Sequence, residues 1–188
     1  MKRIEISWGS FIELLANDGW QEWDRGLFAK VYAHPQKDTV LKIYEDDKAY
    51  DRFLTKIKKL KNPYFPRIHS IHRYSDGDEM QWTVVELERL QRLTDEAHVT
   101  TETVYHQLKY EVDYDPFCDS EDDFDLDLSA FVESFDANNA KDKALKRAIQ
   151  IIQDLGEDFY IDLHVDNVML RKKKEEYQVV FIDPVYVQ

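Results

Sequence analysis

The sequence predicts an α+β protein in two parts, a β-rich amino-terminal portion over residues 1–90 and a mostly helical carboxyl-terminal portion over 91–188 that closes on a hairpin. Three observations carry this expectation. Short apolar runs bounded by turn residues recur through the first ninety positions, the pattern of strands. Two longer stretches, 46–60 and 141–155, instead repeat apolar residues every three or four positions, as a helix with one buried face requires. Between Arg89 and Thr94 the composition changes, which marks the boundary.

Taken in order, Ser10-Phe11-Ile12-Glu13 has the form of a capping box, with Leu14 and Leu15 after it and Asn17-Asp18-Gly19 as a stop, so a short helix is expected there. Phe28 to Tyr32 and Thr39 to Tyr44 flank the polar turn His34 to Asp38 and read as a hairpin. Ala49, Tyr50, Phe53, Leu54, Ile57 and Leu60 then form one helical stripe, opened by Asp46 or Asp47. Past Pro63 and Pro66, Ile68 to Tyr74 and Gln81 to Leu87 predict two more strands around Ser75-Asp76-Gly77-Asp78. A weak helical pattern covers Thr101 to Tyr110. A strong one, through Ala144, Leu145, Ala148, Ile149, Ile152 and Leu155, ends at Gly156. Short strands around Val168 to Leu170 and Val179 to Ile182, joined by a charged turn from Arg171 to Glu176, complete the chain.

At 188 residues, 43% hydrophobic and 13% aromatic, the chain has the apolar material for one sizeable core despite 34% charged residues. Its net charge is −13, and between Glu111 and Asp136 eleven carboxylates stand without a single Lys or Arg. Such a stretch repels nucleic acid and anionic membrane, so neither is expected as a partner. It is a solvated loop on one reading and a surface for a basic protein, over 111–136, on the other. One cysteine, Cys118, excludes an internal disulfide, and no segment has the length of a membrane span or the apolar core of a signal peptide. A cytoplasmic location is expected.

The residues that point to chemistry cluster near the end. Asp162-Leu163-His164-Val165-Asp166-Asn167-Val168-Met169-Leu170 is followed by Phe181-Ile182-Asp183-Pro184. Phosphoryl transfer needs a cation on the nucleotide phosphates, oxygens to hold magnesium and a carboxylate to orient the attacking hydroxyl, and all these residue types are present. The run resembles the catalytic loop and metal-binding aspartate of the protein-kinase-like superfamily, in the Asp-Leu-His-x-x-Asn form of aminoglycoside phosphotransferases.

The resemblance implies a two-lobed protein-kinase-like fold, truncated after the metal-binding aspartate. It implies that Asp162 accepts or orients the acceptor's proton and that Asn167 and Asp183 bind Mg2+. Gly26-Leu27-Phe28-Ala29-Lys30-Val31-Tyr32 is similar to the second half of a kinase glycine-rich loop, and Thr39-Val40-Leu41-Lys42 to the strand bearing the ATP-binding lysine. Val40 and Lys42 share a strand face, so Val40 is expected against adenine, Lys42 at the phosphates and Val31 across from them. A hinge contacting adenine through its backbone is expected at Glu86-Leu87-Glu88. Asp46, Asp47 and Asp51 are the possible partners of Lys42.

The departures from the family pattern also carry expectations. Asp24 and Ala29 stand where further glycines often occur, and the Asp24 carboxylate repels phosphate. Tyr160-Ile161 replaces His-Arg, which removes the arginine that reads a phosphorylated activation loop. Pro184-Val185 replaces Phe-Gly, and with Gln188 last there is no room for a peptide-binding platform. Asp-Leu-His-x-x-Asn-x-Met-x-Arg with Ile-Asp-Pro is similar to short kinase-like proteins of tailed bacteriophages. His164 stands at the position of the catalytic-loop lysine, where it either approaches the transferred phosphate or packs structurally. The expected function is an ATP- and Mg2+-dependent phosphotransferase acting on a protein or small-molecule hydroxyl. The alternative is an inactive kinase-like binding or inhibitor protein that uses its acidic stretch.

Overall fold

The structure, a computed structural model, describes residues 3–77, 80–92, 128–136, 142–174 and 176–187. The expected helix at 101–110, Cys118 and the acidic run up to 127 lie outside these residues. By contacts the chain groups into two compact units, one of Met1–Asp47 with Arg67–Arg89, the other of Lys48–Pro66 with Leu90–Gln188.

In the first unit, strands β1 (Arg3–Glu5), β2 (Gln21–Arg25), β3 (Ala29–Ala33), β4 (Thr39–Tyr44), β5 (Ile68–Asp76) and β6 (Met80–Glu88) form one sheet in the order β1-β5-β6-β4-β3-β2. All neighbours are antiparallel except β1 and β5, which pair in parallel with Arg3 opposite Arg73. Strand alternation divides β4 between two faces. Leu41 and Ile43 join Phe11, Leu15, Trp20, Tyr32, Trp82 and Val84 in a core beneath helix α1 (Trp8–Asn17). Val40 and Lys42 turn to the other face.

Trp82 is the hub of that core. Its ring meets Trp8 edge-on at 5.2 Å and stacks on Tyr74 at 5.9 Å, contacts that add about 0.5–1.5 kcal/mol each beyond their area. Burial holds the phenols of Tyr32 and Tyr74 above the ordinary tyrosine range.

The start of α1 differs from expectation. Ser7, not Ser10, is the N-cap, its side chain accepting from the Ser10 N–H at 3.2 Å. The reason is that Trp8 and Phe11 belong to one buried helical face, so the helix must begin before Ser10 for both to reach Trp82. The helix stops as Asn17-Asp18-Gly19 predicts, with Gly19 at φ 90°. An added Cβ there would lie 2.9 Å from His34 Nε2, which itself contacts the Asp18 carbonyl at 2.9 Å. Gly19→Ala is therefore expected to cost about 1–3 kcal/mol, read as a lower urea midpoint at unchanged slope.

In the second unit, α2 (Lys48–Ile57) buries Ala49, Tyr50, Phe53, Leu54 and Ile57 of the stripe seen in the sequence, while Leu60, also expected in it, lies past the helix end and is exposed. Asp46 lies before this helix in a left-handed turn at φ 40°. Helix α3 (Ser129–Ser134) was not foreseen, because it falls in the acidic stretch whose composition reads as loop. Helix α4 (Lys143–Gly156) buries Leu145, Ala148, Ile149, Ile151, Ile152 and Leu155, and Asp142 caps it by accepting from Ala144 N–H at 2.7 Å.

The strands of this unit are β7 (Gln91–Arg92), β8 (Tyr160–Ile161), β9 (Val168–Lys173), β10 (Glu176–Phe181) and β11 (Val185–Tyr186). They form a three-stranded sheet β10-β9-β7 and a two-stranded ladder β11-β8. The β9–β10 hairpin is longer than expected. Arg171, Lys172 and Lys173 continue the strand opposite Gln178, Tyr177 and Glu176, so the charged residues taken for a turn pair across the ladder instead.

The loop before Arg67 is fastened from several sides. Asn62 Nδ2 donates to the Ala144 carbonyl at 2.7 Å, Tyr64 OH donates to Asp142 at 2.8 Å, and Phe181 N–H donates to the Tyr64 carbonyl at 2.9 Å. The Arg171 guanidinium, on a residue only 8% exposed, donates to the Pro63 and Phe65 carbonyls. Among the described residues no helix is long and apolar enough to cross a membrane.

Candidate active site

The second unit brings Asp162, Asn167 and Asp183 into one clamp built from backbone hydrogen bonds. Asp162 follows directly on β8, and its N–H donates to the Pro184 carbonyl at 2.9 Å, one step beyond the pairing of Ile161 with Val185. The chain then makes a short 3-10 turn over Val165–Asn167, closed by Asn167 N–H to the His164 carbonyl at 2.9 Å. The Asn167 carbonyl accepts from Ile182 N–H, also at 2.9 Å. Both neighbours of Asp183 are therefore tied, one to Asn167 and the other to Asp162. That fixes the position of Asp183 through the main chain of its two neighbours.

Leu163 is the anchor of the loop. It is fully buried, its N–H donates to Ser129 Oγ at 2.9 Å, and its carbonyl accepts from Leu128 N–H at 3.0 Å. Sequence reasoning missed Ser129. The serine stands in a run of carboxylates with no local signal that its hydroxyl meets a loop thirty-four positions on.

Side chains complete the arrangement. Asn167 Nδ2 donates to the Asp162 carbonyl at 3.0 Å, which leaves Oδ1 as the atom Asn167 can offer to a cation. The Asp162 and His164 side chains are 32% and 43% exposed, with His164 Nε2 3.5 Å from Asp162 Oδ1. His164 Nδ1 accepts from Asp166 N–H at 3.2 Å. Among the described residues no group of three His, Cys, Asp or Glu is placed to hold a metal ion. An amide oxygen with one carboxylate is nevertheless a suitable donor set for Mg2+, which keeps several waters and is usually held by one or two carboxylates together with substrate phosphates.

In the first unit, Gly26 N–H donates to the Ala29 carbonyl at 2.9 Å and closes the β2–β3 turn, with Leu27 and Phe28 exposed at its tip. A methyl group on Gly26 would meet nothing nearer than the Ala29 carbonyl at 3.9 Å, so packing does not require glycine there. Asp24 lies in β2 with Oδ1 accepting from Arg25 N–H at 2.8 Å. Val31 is the cross-strand partner of Lys42 and Ala33 that of Val40, so these four side chains share one sheet face, as strand periodicity requires.

Glu86 and Glu88 lie inside β6, where the Glu86 carboxylate accepts from Thr39 and Ser70 hydroxyls at 3.1 and 3.3 Å. Glu88 N–H is given to the Arg67 carbonyl. A cavity of about 440 Å3 beside the Gly26 turn is lined by Trp8, Lys30 and Ile43 among others, side chains of the opposite face from Val31, Val40 and Lys42.

No protein-family model matches the sequence, and no curated protein matches it either. Among solved structures, the chain is similar to the Mycobacterium tuberculosis PknI kinase domain at 13% identity and a TM-score of 0.40, covering 88% of this chain and 59% of that one. It is similar to the MAP kinase LmaMPK10 of Leishmania major at 12% identity and a TM-score of 0.42, covering 93% and 49%. It is similar to the aminoglycoside phosphotransferase APH(4)-Ia at 13% identity and a TM-score of 0.42, covering 94% and 71%. The chain thus spans about half to three fifths of the two protein kinases. A likeness of this strength says nothing of activity or substrate. What the chain is similar to in fold is a set of protein kinases and aminoglycoside phosphotransferases.

Proposed function

We propose that the chain is a phosphotransferase that moves the terminal phosphoryl group of ATP to a hydroxyl of a protein or small molecule, with Mg2+. The observation that supports this most is the set of main-chain hydrogen bonds that holds Asp162, Asn167 and Asp183 together in one clamp. In this reading Asn167 Oδ1 and the Asp183 carboxylate hold the magnesium ion, which supplies charge neutralisation on the phosphate oxygens when bound. Asp162 orients the acceptor hydroxyl and takes its proton. The new bond forms between that oxygen and the γ-phosphorus as the bond to the β–γ bridging oxygen breaks, releasing ADP.

The amino-terminal unit contributes binding groups. Lys42 supplies a cation for the phosphates, and Val31 and Val40 an apolar surface for adenine on the same face. Gly26, with open space where a side chain would stand, lets phosphate approach the backbone. At the expected hinge, Glu86-Leu87-Glu88, the Glu88 N–H is already given to the Arg67 carbonyl, so it is not a donor for adenine.

The test is a thermal shift with ATP and MgCl2. At a nucleotide concentration about 100 times its Kd, binding adds roughly 2.7 kcal/mol to stability, or about 5–11 °C for a chain of this size. Asp183→Asn is expected to lose most of the magnesium-dependent part of that shift. A wild-type midpoint indifferent to millimolar Mg-ATP would remove the proposal.

A further inference from the structure

The contacts of His164 contain more than the proposed reaction has used. Two neighbours of its ring have fixed polarity. Asp166 N–H can only donate, and at 3.2 Å it points at Nδ1, so Nδ1 carries no proton and the hydrogen of the ring sits on Nε2. The Asp162 carbonyl can only accept, so the atom of Asn167 that faces it at 3.0 Å is the amide nitrogen. That same nitrogen lies 3.2 Å from Nε2. Both groups are then donors, and no hydrogen bond joins them. The acceptor left within reach of Nε2–H is Asp162 Oδ1 at 3.5 Å, the outer limit for such a bond and a separation that shortens readily when a site fills.

We propose that His164 is a positioning residue, an Nε2–H donor that fixes the rotamer of the Asp162 carboxylate while its Nδ1 locks the turn at Asp166. The inference rests on the phosphotransfer reading for its consequence, although the contact itself does not. Such a donor holds one carboxylate oxygen in place, and the other oxygen is left to the acceptor hydroxyl.

Two amide variants separate the two ring nitrogens. His164→Asn places an acceptor near Nδ1 and removes the Nε2 donor; His164→Gln places an N–H2 donor near Nε2. Steady-state ATP turnover is expected to show His164→Gln retaining most of kcat. In His164→Asn, kcat should fall about 10- to 100-fold, the range for a hydrogen bond to a charged group, with KM for ATP unchanged. Equal losses in the two variants, or a loss confined to KM, would overturn the positioning role.

A second readout needs no activity. In 15N-edited spectra at about pH 8.5, where an ordinary imidazole is neutral, the ring is expected as the Nε2–H tautomer, and its Nε2 resonance should move in Asp162→Ala. An Nδ1–H tautomer, or an Nε2 signal indifferent to Asp162→Ala, overturns the proposal. If the wild type turns over no ATP yet shows the expected tautomer and the expected response, the phosphotransfer reading fails while the His164–Asp162 contact stands.

Discussion

Asp162→Ala is expected to lower ATP turnover by about 10²–10⁴-fold, the contribution of a positioned general base, while moving the thermal midpoint by no more than about 2 °C. The two halves of this expectation have separate physical origins. Everything that Asp162 does for the fold is done by its main chain, through its N–H to Pro184 and its carbonyl to Asn167. Alanine keeps both bonds. The side chain, about a third exposed, meets His164 at the limit of hydrogen-bond distance and carries little structural weight. Turnover and differential scanning calorimetry on the same preparation check the pair. A large drop in the midpoint would mean that the carboxylate holds the loop and that the activity loss is secondary. Unchanged turnover in a folded variant would remove Asp162 from the proposed reaction.

Arg171→Met is expected to act in the opposite way, with stability as the primary loss. The guanidinium reaches the Pro63 and Phe65 carbonyls from β9, more than a hundred residues away in sequence, and the residue is 8% exposed. Methionine preserves most of the apolar stem but leaves those carbonyls without their charged donor, a change worth roughly 2–4 kcal/mol. For a chain of this length that corresponds to a fall of about 4–16 °C in the midpoint. Arg171→Lys should recover only part of it, because an ammonium cannot span two carbonyls with the fixed fork of a guanidinium. Urea unfolding of the three proteins gives the order wild type, Lys, Met. A Met variant as stable as the wild type would show that the fork does no more than decorate a loop already held by Asn62 and Tyr64.

Much of the secondary structure was legible in the sequence because it is encoded over short distances. The apolar stripes at 46–60 and 141–155 became α2 and α4, and the runs at 39–44, 68–74 and 81–87 became β4, β5 and β6. The shared face of Val40 and Lys42 followed from strand periodicity alone, whereas the cross-strand register is what brings Val31 to it. Legibility failed where a short-range signal competed with a longer-range one. Ser10 looked like a cap because Glu13 stands three residues on, yet the aromatic packing of Trp8 on Trp82 required the helix to start earlier, at Ser7. The charges from Arg171 to Glu176 looked like a turn, and pairing across the hairpin drew most of them into strands. Strands β1, β7, β8 and β11 are two or three residues long, too short to show any period, and exist only because a partner strand is there to pair with.

By itself the sequence determined the α+β class, the main helices and strands, and the spacing of Asp162, Asn167 and Asp183, since each depends on residue type and on periods of two or three to four residues. Only the tertiary structure decided that Ile182 and Pro184 tie Asp183 to Asn167 and Asp162, that Ser129 anchors Leu163, and that Arg171 seals the loop at Pro63. These are bonds between backbone groups, or between a side chain and a distant backbone N–H or carbonyl. Any residue has the backbone groups, so the amino-acid identities at those positions leave no mark of which partner the fold will bring.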